Sequence, residues 1–314
     1  MSTLLVDSAA GAEVTPTRRR GRGGLGRAIL SNRKALAGLI LLLLFGLLAA
    51  VPHLFVPWQH GDPRAVGQFL QLQHPSLKHW LGTTGLGQDV YSELVYSTRE
   101  SLIIALVAGL GATALSVIIG VSAAYLGGVA DDALSMITGV FLVLPTFPLI
   151  IVLATYAGKG SLGVVIIVLI ATGWAYGANQ LRAQGLSLRN RDFLEAARVR
   201  GERRSYIIVV EVLPTMTSLI LANFLGAALY AVLTAAGLQF LGLGDPSSLS
   251  WGTMLYWAQN QGALVSGFPA WALAPGLAVA LLGVSFALLN YAFDEISNPA
   301  LRPVRRQRVK RADS

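Results

Sequence analysis

An all-α, polytopic membrane fold with six transmembrane helices follows from three observations. Hydrophobic residues make up 54% of the 314-residue chain and charged ones only 13%, far from the roughly one-quarter charged composition of soluble domains. Six apolar runs, about 36–56, 101–127, 134–157, 161–181, 214–240 and 271–293, each approach the roughly 20 residues that cross a hydrocarbon core. The basic residues gather between alternate runs. With the amino terminus inside, the inner segments hold 20 of the 24 lysines and arginines, and the outer ones hold Arg64, Lys78, Arg99 and Lys159. The positive-inside rule therefore places both ends in the cytoplasm of a cell-membrane protein.

The first run, 36–56, follows a basic leader rich in Gly, Arg, Thr and Ser. A cleaved secretory signal is the rival reading there, with Ala49-Ala50 as the small residues. The leader exceeds thirty residues, however, and cleavage would leave an odd number of spans above a basic carboxyl end, so the run is read as a retained helix. The expected organisation is a disordered tail at 1–33, a six-helix unit at 34–303 with its first helix at 36–56 and its core at 101–293, and a basic tail at 304–314. Pro145 and Pro148 interrupt the third run and Pro275 lies near the start of the sixth, which predicts kinks. Gly109, Gly111 and Gly120 offer close helix contact, and Gly173 with Gly177 forms a small-xxx-small face. Asn223 and Asn290 are polar groups within spans that either line a path or bond between helices. No carboxylate or lysine falls deep in any of the six runs, which argues against a proton-coupled carrier.

Several chemistries are excluded. Without cysteine there is no disulfide framework and no thiolate. The formal charge of +8 flanks apolar runs and is not interleaved with aromatics, so no nucleic-acid partner is expected. Gly158-Lys159-Gly160-Ser161 lacks the order of a phosphate loop, and the chain is not expected to bind ATP alone. His53, His60, His74 and His79 cluster before the second run, but their spacings match no compact ligand pattern, so no metal is assigned. No aspartate pair, Ser–His pair or His-Glu motif lies in the spans for an intramembrane protease. A channel would need a ring of charge or a carbonyl filter, and neither is evident.

The basic segment between the fourth and fifth runs carries the most specific pattern. In Asp192-Phe193-Leu194-Glu195-Ala196-Ala197-Arg198-Val199-Arg200-Gly201, residues Phe193, Ala196 and Ala197 fall at i, i+3 and i+4 on one helical face. The two alanines leave that face flat, suited to another protein's groove. Gly201 supplies the left-handed residue that ends the helix. Leu213-Pro214 follows, with Pro214 in the first turn of the next span. This spacing resembles the Glu-Ala-Ala loop of ABC-importer permeases.

Two further segments resemble the dipeptide/oligopeptide/nickel branch of those permeases. The first is His79-Trp80-Leu81-Gly82-Thr83-Thr84-Gly85-Leu86-Gly87-Gln88-Asp89-Val90, continuing to Tyr96, Arg99, Ser101 and Leu102. Thr84, Gln88 and Glu100 depart from the family pattern. Read without the family, this stretch is a Gly-rich turn leading into a helix with Val90, Leu94 and Val95 on one side. The second is Leu238-Gln239-Phe240-Leu241-Gly242-Leu243-Gly244 with Pro246, Trp251, Gly252 and Met254. Its bland reading is a turn with Trp251 and Trp257 anchored at headgroup depth. Asn290-Tyr291-Ala292-Phe293-Asp294 and Asn298-Pro299 resemble the family's carboxyl end, with Phe293 in place of glycine. The likeness covers roughly 33–303 and has the layout of the C-type subunit.

The resemblance implies half of a heterodimeric pore, with alternating access driven elsewhere. The implied partners are a second homologous permease subunit, two ABC ATPase subunits that use ATP and Mg, an extracytoplasmic solute-binding protein, membrane lipid and a peptide substrate. Phe193, Glu195, Ala196, Ala197, Gly201, Leu213 and Pro214 would be the ATPase-coupling residues. Asn223, Asn290 and Pro145 are the pore-lining or helix-packing candidates, and no catalytic residue or cofactor is assigned to this chain. Nickel chelates, haem or another solute of the family are alternative cargoes, and a non-ABC channel or scaffold subunit is the alternative class.

Overall fold

A computed structural model describes residues 32–57, 62–156 and 161–297, with side chains described up to 293. His60, the Gly158-Lys159-Gly160 sequence, Asn298-Pro299 and nearly all of both tails lie outside these residues. Among those described, every regular element is helical, and one isolated bridge joins Thr83 to Asp89. Among the described residues five helices are long and apolar enough to cross a membrane, or six if one pair of helices bent by 91° counts as a span.

Helix α1 (Arg33–Ala50) starts where the Asn32 side chain accepts from Lys34 N–H at 2.9 Å, and it ends just before Pro52 opens the short α2 (Pro52–Phe55). Helix α3 (Val90–Leu126) is capped by Asp89, which accepts from Ser92 N–H at 2.8 Å, and it stops at Gly127 with φ +67°. Its 37 residues span about 55 Å, far more than a hydrocarbon core of about 30 Å. The expected start at 101 is therefore corrected to 90. The hydropathy of the run rises only after Glu100, whereas the helix begins at its cap. The extension puts Glu93 and Glu100 on the outermost turns of a spanning helix, and Glu93 is buried.

The third span is two helices, α4 (Gly128–Val143) and α5 (Thr146–Tyr156). Leu144 adopts an extended conformation because the ring of Pro145 excludes the helical one, and the chain turns through 91° there. Pro148 causes no second break, since it falls in the first turn of α5 where its missing N–H has no partner to lose. The fourth span is also interrupted, at Trp174, between α6 (Leu162–Gly173) and α7 (Ala175–Leu188). The hydroxyl of Ser116 on α3 donates to the Trp174 carbonyl at 2.6 Å and so ties α3 to the interruption.

A short helix, α8 (Asp192–Val199), and a turn, α9 (Arg204–Tyr206), lead into a π-helical segment, Ile207–Val212, and then α10 (Leu213–Thr215). The fifth span, α11 (Thr217–Phe240), begins after Met216. Pro214 thus sits late in a helical path and does not open the span. Its ring cannot donate and crowds the preceding carbonyls, and the turn before it is the widened one. Helix α12 (Trp251–Asn260) packs on α11 and α13, and α13 (Pro269–Ser297) is the sixth span. It runs as one helix with Pro275 inside it.

Helix α3 lies at the centre, packed on α11, α7, α6 and α1. Glycines permit the closest approaches. A Cβ on Gly109 would stand 2.9 Å from Ala228 backbone atoms, and one on Gly38 2.9 Å from the Ser285 carbonyl. The largest cluster joins α1, α3, α11, α12 and α13, with Trp251, Trp271 and Phe286 fully buried. Trp251 is 1% exposed, bonds the Leu94 carbonyl through Nε1 at 3.1 Å, and meets Phe45 edge-on, so it is a core residue and not a headgroup anchor.

Candidate functional site

Helix α8 carries the Glu-Ala-Ala pattern at the basic end of the bundle. Asp192 and Glu195 occupy its first turn and Arg198 its last, which suits the helix dipole at both ends. Gly201 has φ +75°, its N–H donates to the Arg198 carbonyl at 2.9 Å, and Glu202 N–H donates to the Ala197 carbonyl at 3.2 Å. These two bonds are a Schellman motif, and a Cβ at this backbone conformation would be strained. The expected end of the helix at Gly201 is thus present.

The face is not the one expected. Leu194 and Ala197 are buried, while Phe193, Glu195, Ala196 and Val199 are exposed. Ala197 therefore leaves the predicted outward trio of Phe193, Ala196 and Ala197. The i, i+3, i+4 pattern in the sequence was equally compatible with Leu194 and Ala197 pointing inward, and tertiary packing selects that rotation. Ala197 and Leu194 pack into one apolar cluster with Val121 of α3, Leu181 of α7, Ile207 and Val212 of the π-helical segment, and Met216. Leu213 is partly buried against the same cluster. Arg198 adds a hydrogen bond to the Arg189 carbonyl at 3.1 Å. Nearby, Arg182 of α7 grips Asp131 of α4 through two bonds of 2.6 and 2.9 Å. The outer face of α8 is free while its inner face is fastened to the ends of three helices.

Those helices converge again on a cavity of about 460 Å³. It is lined from α3 by Thr113 and Ser116, from α6 and α7 by Thr172, Gly173, Tyr176, Gly177 and Gln180, and from α11 by Asn223, Gly226 and Tyr230. Phe141, Leu142 and Thr146 flank the bend of the third span, and Asn290 comes from α13. No charged side chain is among these lining residues. Asn223 donates from Nδ2 to the Leu219 carbonyl of its own helix at 3.1 Å, so its hydrogen bond is not an interhelical one. Asn290 Oδ1 is buried with no hydrogen-bond partner. Both asparagines line the cavity. Pro145 does not line it, but the break it causes sets Thr146 there. Of the small-xxx-small pair, Gly177 makes the close contact, since a Cβ there would stand 2.7 Å from Ser116 Oγ and 2.8 Å from Asn223 Oδ1. Gly173 faces the Tyr230 ring, where a Cβ would stand 3.3 Å from the nearest ring carbon and ask the ring to give slightly.

Sequence reasoning found Asn223 and Asn290 but missed Gln180 and the hydroxyls of Thr113, Ser116, Thr172, Tyr176 and Tyr230. Thr172, Tyr176 and Gln180 recur every four residues, and Asn223, Gly226 and Tyr230 at i, i+3 and i+7. That polar stripe inside apolar runs was the available signal.

At the other end, the two glycine-rich segments meet. Asp89 caps α3 and also bonds His79 Nδ1 at 2.7 Å, Thr83 Oγ1 donates to the Leu70 carbonyl at 2.7 Å, and Gln88 Nε2 donates to the Pro63 carbonyl at 2.9 Å. Trp251 N–H donates to Ser101 Oγ at 3.1 Å and so joins the second segment to α3. His74 stacks on Phe268 with ring centroids 4.7 Å apart. The Ser247 hydroxyl and N–H, at 2.6 and 2.9 Å, hold the Asp245 carboxyl below the usual carboxylate range. Both described histidines of the long loop thus have packing or hydrogen-bonding roles.

Comparison with known proteins agrees with this architecture. Residues 116–302 match the family model of the binding-protein-dependent transport system inner membrane component. The chain is 32% identical over 284 residues to the oligopeptide transport system permease protein OppC of Mycobacterium tuberculosis (strain ATCC 25618 / H37Rv), covering 89% of this chain and 95% of the relative. A putative peptide permease protein of Brucella suis biovar 1 is 34% identical over 263 residues, covering 82% and 84%. A putative peptide transport system permease protein of Brucella abortus biovar 1 is 31% identical over 280 residues, covering 88% and 91%. With a helical multi-pass bundle, a Glu-Ala-Ala helix at its basic end and these relatives, the chain belongs to the binding-protein-dependent inner membrane components, as an ABC-importer permease of the oligopeptide/dipeptide group.

Proposed function

We propose that this chain forms half of the translocation pore of an ATP-driven importer of di- and oligopeptides. A second permease subunit supplies the other half, two ATPase subunits dock at the basic end, and an extracytoplasmic binding protein delivers the solute at the opposite end. Both termini lie in the cytoplasm. ATP and Mg act in the partner ATPases, and this chain contributes no nucleotide site and no catalytic group. The peptide cargo is assigned from the likeness to peptide permeases.

One observation carries the reading. Helix α8 has a free outer face with Phe193, Ala196 and Val199, and an inner face fastened to α3, α7 and the start of α11, the same helices that line the cavity. A push on α8 passes through Leu194 and Ala197 into Leu181 and Met216, because a close-packed cluster transmits displacement and does not absorb it. The walls carrying Gln180 and Asn223 move with them. The test is reconstitution of this chain with its partner permease, ATPases and binding protein in proteoliposomes. ATP-dependent uptake of a labelled tripeptide is expected, and uptake that proceeds equally without ATP or without the ATPases overturns the reading.

A further inference from the structure

The cavity combines three properties. Its described lining is uncharged, and it carries hydroxyls and carboxamides from six separate helices. It also contains Asn290 Oδ1, a buried polar atom that lacks a hydrogen-bond partner among the described residues, and Tyr230 Oη, a buried hydroxyl beside the side chains of Thr172 and Thr234. An unpaired buried carboxamide oxygen is costly, so a fold keeps one where a passing ligand or water pairs it. Asn290 Oδ1 is an acceptor that asks for an N–H. Tyr230 Oη offers a hydrogen and accepts one. Gly226 and Gly177 keep this wall open. A Cβ on Gly226 would approach Asn290 Nδ2 to 3.9 Å, and one on Gly177 would collide with Asn223 Oδ1.

We propose that Asn290 and Tyr230, with Asn223, form a binding subsite for the neutral amide groups of a peptide main chain in transit. This deepens the peptide-importer reading and rests on it. Amide N–H groups pair with Asn290 Oδ1, and amide carbonyls accept from Tyr230. The uncharged lining leaves side-chain charge unread at this step, so one pore wall serves peptides of different sequence. A site selecting an anionic or cationic solute would carry the complementary charge instead, since desolvating an unpaired charge in such a cavity is costly.

The subsite is tested in the reconstituted importer by uptake of Ala-Ala-Ala, Ala-Lys-Ala and Ala-Asp-Ala, using the same binding protein throughout so that its own preference cancels between variants. Asn290→Asp is expected to raise the Ala-Lys-Ala to Ala-Asp-Ala uptake ratio about fivefold over wild type, as a new charge within reach of the side chain should. Tyr230→Phe, which removes one oxygen and leaves the ring packing, is expected to lower uptake of all three by a similar factor of roughly three to ten. Wild-type uptake of peptides with an unchanged ratio in Asn290→Asp overturns the subsite alone. Unchanged uptake in Tyr230→Phe also overturns it, and this variant decides the matter should Asn290→Asp fail to assemble. A wild-type importer that takes up none of the three overturns the peptide reading and the subsite with it.

Discussion

Gly120 shows how little room separates α3 from α7. A Cβ there would lie well inside contact distance of the Ala178 carbonyl, which is backbone and cannot swing aside. Gly139 on α4 has nothing within 4 Å of the same construction. The two glycines therefore respond oppositely to alanine. Gly120→Ala should destabilise the subunit by about 1–3 kcal/mol through overpacking. Gly139→Ala should be neutral or stabilising by up to about 1 kcal/mol, through helix propensity alone. Thermal unfolding of the purified subunit in detergent measures both, and a larger loss in Gly139→Ala than in Gly120→Ala would contradict the packing. Both residues look alike in sequence, each a glycine in an apolar run. Only the neighbouring helix distinguishes them.

The element that matters most for function is α8, and two adjacent alanines on it differ in kind. Ala196 is exposed, whereas Ala197 is fully buried against the basic-end cluster. Ala196→Trp should leave folding within about 0.5 kcal/mol of wild type while uptake falls and the ATPases detach or lose substrate-stimulated hydrolysis. Ala197→Trp should instead lower the amount of folded subunit in the membrane, because the indole has no space to enter. Gly201→Val strains a positive-φ residue and should impair coupling as Ala196→Trp does. Subunit level by immunoblot, co-purified ATPase and uptake together separate these outcomes. Normal uptake and coupling in both Ala196→Trp and Gly201→Val would remove the docking assignment. The helix and its glycine end were legible in the sequence because capping is local chemistry. Its rotation was not, since one turn of Phe-Leu-Glu-Ala-Ala offers two apolar faces and the choice is made by Val121, Leu181 and Met216, remote in the chain.

For the whole molecule, orientation is open to direct measurement because the chain contains no cysteine. Single cysteines introduced as Leu70→Cys and Val265→Cys, at positions 77% and 95% exposed, should react with a membrane-impermeant thiol reagent in intact cells. Asn190→Cys, exposed at the basic end, should react only after the membrane is opened. Labelling of the Asn190 variant in intact cells would invert the topology. Position 250, attractive by sequence in this outer loop, is unsuitable because Ser250 is buried and caps α12.

Composition alone determined that the chain is a helical membrane protein, roughly where its spans run, and that it carries no cysteine chemistry. Hydropathy is a sum over residues and needs no partner. The Glu-Ala-Ala spacing and Gly201 were likewise readable, since a helix and its end depend on bonds between residues at most five apart. The rest was decided by residues far apart in the chain. Trp251 is a core residue because Leu94 and Ser101, some 150 positions earlier, receive its two N–H groups. The early start of α3 is, by contrast, local chemistry, since Asp89 caps it through Ser92 three residues on. The cavity exists only where α3, α6, α7, α11 and α13 meet the bend of the third span. The polar stripe on each wall is local, but the space between the walls is set only by how these helices pack on one another.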